Sequence, residues 1–433
     1  MRTPVLLVTL VLALAAGAAP AAAQDGGAVR DGIWISPEEL QSMPTSGPAW
    51  GQLDDFADAP AGTADISDQD NEHDVHVLAA ALVSARTGSD RLREKAAQGI
   101  MDVIGTEDGG RSLALARGLL PYVVAADLID LEALDAEREK RFRDWLRGVR
   151  NEVLEPESRP TLVTTHERAA NNWGTHAGAS RIAAAIYLDD RKDLARAAAV
   201  FKGFLGDRAA FKGFNYEDDL SWQSDPAKPV GVVPAGETKG GERLDGALPE
   251  DMRRGCPFQA EPCATRYPWE AMQGIAAQAE MLSRQGYDAW QWEEEAVRRA
   301  AEYLFELNER SPNEDWAAPD GNQWIPWLLN ARYGSGFPTQ VPAQPGKGIG
   351  FADWTHATPC QGDACAAPRG EPKPVAPAAT RPDPRAERRR AAREEDDGVP
   401  WPLVAAGSGA LVLAAGALAL GARARRRRRR VAG

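Results

Sequence analysis

The chain has 433 residues, a formal net charge of −13, and a composition that is 43% hydrophobic and 26% charged. That length suits one large domain or two small ones. The acidic balance disfavours nucleic acid and other polyanions at long range, although a local basic cleft can still hold one. The sequence carries no repeat of fixed period, no phosphate-binding glycine loop and no nucleic-acid motif.

Met1 to Ala23 combines Arg2, an apolar run from Val5 to Ala19 and an Ala21-Ala22-Ala23 exit. It reads as a secretory signal peptide cut before Gln24. Residues 24–70 are punctuated by proline and glycine, hold Trp34 and Trp50, and are expected to wrap a surface. Helical spacing then takes over. His73 to Arg86 and Asp90 to Ile104 repeat apolar residues every three or four positions and stop near Gly88 and Gly105. Leu113 to Leu131 is apolar most of the way round, as an inner helix is; Asp135 to Leu154 is charged on one side, as an outer one is. His166 to Leu188 follows Pro156 and Pro160, contains no proline and is rich in alanine. It predicts one long inner helix with His166 in its first turn. Asp193 to Leu205 is again amphipathic.

Phe211 to Thr265 breaks the pattern with prolines and glycines. Helices resume at Tyr267 to Gln285 and Trp290 to Leu307, and a tryptophan-rich stretch follows through Trp316, Trp324, Trp327 and Trp354. Exposed tryptophans stack on sugar faces, but most of the 13 are expected to pack cores and loop junctions. Inner and outer helices alternate with short links, and few segments alternate at period two. The fold class is therefore all-α, with helical hairpins arranged round a centre.

Beyond Ala357 the composition shifts to Pro, Ala, Arg and Glu, which predicts a stalk over 357–400. Trp401 to Leu420 carries no charge and is followed by Arg423 and Arg425 to Arg430. A transmembrane helix over 401–421 with a cytoplasmic basic tail, 422–433, is expected, making the lipid bilayer a partner. The chain then reads as a single-pass type I cell-membrane protein with its folded part, 71–356, outside the cell. Setting aside Arg2 and the residues from Ala357 onward leaves the whole outer portion, 24–356, at about −21. The four cysteines form two close pairs, and an exported chain favours the local disulfides Cys256–Cys263 and Cys360–Cys365 over the other pairings. No histidine lies near either pair at zinc-site spacing. His73 and His76, three apart, lack a carboxylate or further histidine at set spacing, so neither metal nor cofactor is expected.

Asn172, Trp173 and His176 share one face of the predicted inner helix. Buried polar groups there need partners. The residues by themselves leave a packing cluster and a functional site equally open.

Asn171-Asn172-Trp173-Gly174-Thr175-His176 resembles the Asn-Asn-His-Gly-Thr-Trp motif of the alginate lyase superfamily, whose domain is an α/α toroid. Leu119-Leu120-Pro121-Tyr122 through Ala125-Ala126-Asp127-Leu128-Ile129 resembles that family's preceding inner helix. Asp245-Gly246-Ala247-Leu248-Pro249-Glu250-Asp251-Met252-Arg253-Arg254, with Tyr267 after it, resembles the family's Gly-Ser-Leu-Pro-x-Glu-x-x-Arg and downstream tyrosine. The similarity runs from Asn71 to Pro338. It implies an incomplete (α/α)n toroid and β-elimination at a uronic acid of an acidic polysaccharide, alginate or glucuronan in type. In that chemistry an amide and a cation take up charge on the carboxylate as the enolate forms, a base removes the C5 proton and an acid protonates O4. Carried over by position, Asn172 holds the carboxylate and Arg254 neutralises it, with Arg253 the alternative one register away. Tyr267 is the acid. Trp173, Arg253 and Trp269 are candidate substrate contacts.

The chain departs from the family at the base, because Trp173 stands where the family has histidine and His176 where it has tryptophan. His176 as a shifted base, Tyr267 as the only base, and loss of catalysis are all open readings. Two other functions also stand. One is an inverting glycoside hydrolase on the same toroid, with carboxylates drawn from Glu217, Asp218, Asp219 or Glu270. The other is a non-catalytic glycan-binding surface protein.

Overall fold

The computed structural model describes residues 32–154, 161–311 and 316–357. The chain divides into two units, Met1–Cys365 and Ala366–Gly433, and every described residue falls in the first. The expected signal peptide, stalk, transmembrane helix, basic tail and Cys360–Cys365 pairing lie outside the described residues.

Helix follows helix along the chain. α1 (Pro37–Ser42) and α2 (Pro48–Asp58) precede α3 (His73–Thr87), α4 (Asp90–Asp102), α5 (Ser112–Leu128), α6 (Leu131–Leu134) and α7 (Ala136–Val149). Then come α8 (Leu162–Arg168), α9 (Asn172–Tyr187) and α10 (Arg191–Leu205). A two-stranded hairpin, β1 (Thr238–Lys239) with β2 (Glu242–Arg243), is the only sheet among the described residues. α11 (Pro249–Met252), α12 (Tyr267–Arg284), α13 (Trp292–Arg310), α14 (Trp324–Tyr333) and α15 (Ala352–Thr355) complete the order. The fold is all-α. Among the described residues no helix is long and apolar enough to cross a membrane.

Composition sorts these helices into layers. α3, α5, α9 and α12 are rich in alanine and buried over most of their length, so they can approach one another closely. α5 packs against α3 on one side and α9 on the other, and α9 packs in turn against α12. The amphipathic α4, α7, α10 and α13 bury one stripe each and cover the layer from outside.

The four inner helices run in the same direction. Along their length, Ser180 Oγ of α9 donates to the carbonyl of Ala116 in α5 (2.7 Å), and Gln278 Nε2 of α12 donates to the carbonyl of Thr175 in α9 (3.0 Å). Near their ends, Ser84 and Ala85 of α3 line one cavity with Leu128 and Ile129, and Arg191 reaches Gln285 (3.4 Å). All four N-termini therefore emerge at one end of the layer.

One predicted element is corrected. The single helix from His166 is two, α8 and α9, broken at Ala169-Ala170-Asn171. The Asn171 side chain accepts the Trp173 N–H (3.1 Å) and caps a new helix. The chain on the other side is held out of helix by Asn215, whose N–H donates to the carbonyl of Arg168 (2.8 Å). His166 consequently lies in the last turn of α8, not in a first turn.

Residues 32–70 contribute to the core through Ile33, Trp34, Ile35 and Leu53. The Ile33 N–H donates to Asp127 of α5 (2.9 Å), and Trp354 Nε1 donates to the carbonyl of Pro44 (2.8 Å).

Candidate active site

The break before Asn172 places a fresh helix start in the interior. Its exposed N–H groups need acceptors. Asn171 supplies one. The other comes from α11: Asp251 Oδ1 accepts the Asn172 N–H at 3.0 Å. Asp251 is fully buried and its Oδ2 has no partner. Burial raises its pKa to about 8, against the opposing pulls of the Asn172 N–H and of Arg254, so the carboxyl carries a proton near neutrality. Asn172 is buried as well, with its Oδ1 unpaired.

Three residues past Asp251, the Arg254 guanidinium lies 3.5 Å above the centre of the Tyr267 ring, a cation–π contact at the first position of α12. Asn172, Arg254 and Tyr267 are thus linked through Asp251 and brought to one place. Arg253 turns elsewhere: its Nε is 3.1 Å from Glu250 and its Nη2 is 3.8 Å from Glu217. The predicted disulfide forms between Cys256 and Cys263. It closes the loop that separates Arg254 from Tyr267, and the carbonyl of Cys256 accepts Trp222 Nε1 (2.7 Å).

His176 lies one turn further into α9 and is buried. Its Nε2 makes no hydrogen bond and sits 3.9 Å from Glu270 Oε2. Burial, then the charges of Arg117 and Lys347, push its pKa well below the ordinary range, so the ring is neutral. Trp173, beside Asn172, is half-buried under the Arg111 guanidinium (5.5 Å to the ring centre). Trp269 goes to the core. It is 1% exposed, donates from Nε1 to the carbonyl of Trp316 (2.9 Å) and packs edge-on to Phe305. A ring sealed in this way presents no face to a sugar.

Residues outside the three motifs complete the surroundings. Arg117 of α5 pairs with Glu270 of α12 at 3.3 Å, and Gln273 Nε2 lies 3.4 Å from the same carboxylate. Lys347 comes from the far end of the described chain to pair with the buried Asp74 at the start of α3 (2.7 Å). Asp251 had a signal in the sequence, since it occupies the glutamate position of the Leu-Pro-x-Glu-x-x-Arg pattern; that alignment also puts Arg254, not Arg253, at the arginine. Arg117 and Lys347 had none, as only tertiary packing brings them here. Among the described residues no group of His, Cys, Asp and Glu is arranged to hold a metal ion.

Cations from α5 and from the loops at Arg254 and Lys347, helix N-termini and an amide therefore meet at one end of the inner layer. Positive ends of helices and guanidinium groups favour a bound anion. Tyr267 and Glu270, three apart on α12, face the same side and bring acid–base groups to it.

No curated protein and no solved structure matches the chain. The family model described as Alginate lyase matches residues 90–213, which takes in α5 and the Asn171-Asn172 motif, while Arg254 and Tyr267 lie beyond it. Over that segment the chain is similar to the alginate lyase family.

Proposed function

We propose that the protein is a polysaccharide lyase that cleaves a uronic-acid-containing glycan by β-elimination. The observation that carries this reading is the meeting of Asn172, Arg254 and Tyr267 through Asp251 at the start of α9 and α12. Asn172 and Arg254 bind the uronate carboxylate and take up the charge that grows as C5 loses its proton. The C4–O4 bond breaks, a double bond forms between C4 and C5, and the Tyr267 phenol delivers a proton to O4. His176 is buried against Glu270, so the base role falls to Tyr267 itself, whose phenolate the overlying guanidinium stabilises. The buried, protonated Asp251 acts through the Asn172 backbone it holds and does not reach a substrate.

The chain order of inner-helix contacts supports the further reading that the hairpins close into an incomplete α/α toroid over 71–356. We also infer that this domain works outside the cell on a single C-terminal membrane anchor. The apolar sequence 401–421 and the Cys256–Cys263 disulfide support that placement.

The test is a panel of polyuronates incubated with the purified full-length chain. A lyase leaves an unsaturated sugar end that absorbs in the ultraviolet, and Tyr267→Phe abolishes it. New reducing ends without that absorbance would identify a hydrolase, and binding without either product a glycan-binding protein.

A further inference from the structure

Glu270 stands at the first turn of α12, three residues after Tyr267 and on the same side of the helix. Its side chain is 23% exposed, in a region where the cations and helix starts favour an anionic substrate. A carboxylate facing a polyanion is unfavourable unless it has a task. Its two oxygens are unequal. Oε2 pairs with Arg117 Nη2 at 3.3 Å and accepts from Gln273 Nε2 at 3.4 Å. Oε1 makes no hydrogen bond among the described residues and is not among their buried unpaired atoms. Gln273 is held in turn by Asn322. The carboxylate is therefore held through Oε2, leaving Oε1 for a donor about one helical turn from Tyr267.

An oriented, charged acceptor of this kind recognises a hydroxyl donor. A site built to accept a hydrogen bond discriminates strongly against an analogue without the donor, because the buried-side partners cannot rearrange to compensate. It also repels sulfate or a second carboxylate at that point. We propose that Glu270 is the specificity-determining residue of the candidate site: its Oε1 accepts a hydrogen bond from a free ring hydroxyl of the uronate. The substrate class is then an unsubstituted uronan, and O-acetylated or sulfated polymers are rejected. Arg117 and Gln273 act as positioning residues for that carboxylate. This rests on the uronate-binding reading of the site but not on turnover.

The experiment compares wild type and Glu270→Gln, both full-length, for binding by titration calorimetry. The probes are an unsubstituted polymannuronate oligosaccharide and the same oligosaccharide chemically O-acetylated; production of unsaturated ends is measured in parallel. Wild type is expected to prefer the unsubstituted probe by about tenfold or more, the worth of a charge-assisted hydrogen bond. In Glu270→Gln the ratio collapses toward one while the unfolding midpoint stays put. A role limited to folding would change the midpoint and leave the ratio. An unchanged ratio in a folded variant overturns the proposal. Should Glu270→Gln fail to fold, Glu270→Asp, which withdraws the charge by one methylene, gives the same readout. Discrimination in binding without any unsaturated product would sink the lyase reading and leave this inference standing; turnover without discrimination would do the reverse.

Discussion

Asp251 shows how one buried atom pair organises the candidate site. It spends its Oδ1 on the Asn172 backbone and sits one turn before the arginine that covers Tyr267. Burial raises its pKa from 3.8 to about 8. A carboxyl whose folded pKa lies above its unfolded one keeps a proton that the unfolded chain has released. Stability from this group is thus fully present below the unfolded value and is lost as pH rises toward the folded one. The slope is about 1.4 kcal/mol per pH unit between about pH 4 and about pH 8. Asp251→Asn keeps an oxygen for Asn172 and cannot titrate. Denaturant unfolding across that window should show the variant gaining on wild type as pH rises, then a constant difference above it. A difference independent of pH would mean that Asp251 ionises normally. Trp269 supports a prediction of the opposite kind. Trp269→Ala removes a sealed indole and is expected to cost about 3–5 kcal/mol of stability. Polyuronate affinity per folded molecule should not change, which calorimetry on the folded fraction would check.

At the scale of the element, the packing of α9 on α12 depends on residues that lack a side chain. A Cβ built on Gly274 would come within 2.2 Å of the Thr175 carbonyl carbon and 2.6 Å of the His176 nitrogen. Both are backbone atoms of α9 and cannot step aside. Gly274→Ala gains up to about 1 kcal/mol in helix propensity, yet overpacking costs about 1–3 kcal/mol. A lowered thermal midpoint is the expected net result, and a raised one would mean that the helices are free to separate. The same elements show what the sequence could reveal. Spacing of apolar residues located α3, α4, α5, α7, α10, α12 and the body of α13 to within a few residues, because burial of one face is written into that spacing. It missed the break before Asn172. The Asn171 side chain competes locally for N–H groups, and the strand-like contact with Asn215 comes from 47 residues downstream of Arg168. It also missed Glu293, Glu294 and Glu295, whose positive φ angles delay the regular part of α13. Arg299 accounts for that turn by donating to the carbonyls of Glu293 and Glu294 (2.8 and 2.9 Å). For the site, family motifs pointed to Asn172, Arg254 and Tyr267. The aromatic residue at 269 misled because a helical face near a site and a helical face in the core have the same spacing.

Across the whole described domain, the polar end of the inner layer is matched by a buried ionic knot that ties together segments distant in sequence. Glu280, near the C-terminal end of α12, is fully buried. It receives both Nε and Nη2 of Arg332 from α14, lies 3.7 Å from His356 just past α15, and is 3.9 Å from Arg284. Arg284 in turn reaches Glu39 (2.9 Å) and donates from Nε to the carbonyl of Gly32 (3.1 Å). The first and last described segments are thereby fastened to the same inner helix that begins with Tyr267. Burial alone would raise the Glu280 pKa, but His356 and Arg332 hold it down at about 2, against 4.5 for an ordinary glutamate. A depressed folded pKa gives stability that is present above the unfolded value and is lost as pH falls through about 4.5 to about 2. Glu280→Gln leaves Arg332 and Arg284 without their buried counter-charge, so a loss of about 3–5 kcal/mol is expected at neutral pH. The variant should also show a shallower decline of stability in acid than wild type. Chemical denaturation at neutral and acid pH measures both. Wild-type stability at neutral pH in Glu280→Gln would mean that the knot joins the two ends of the domain without holding them.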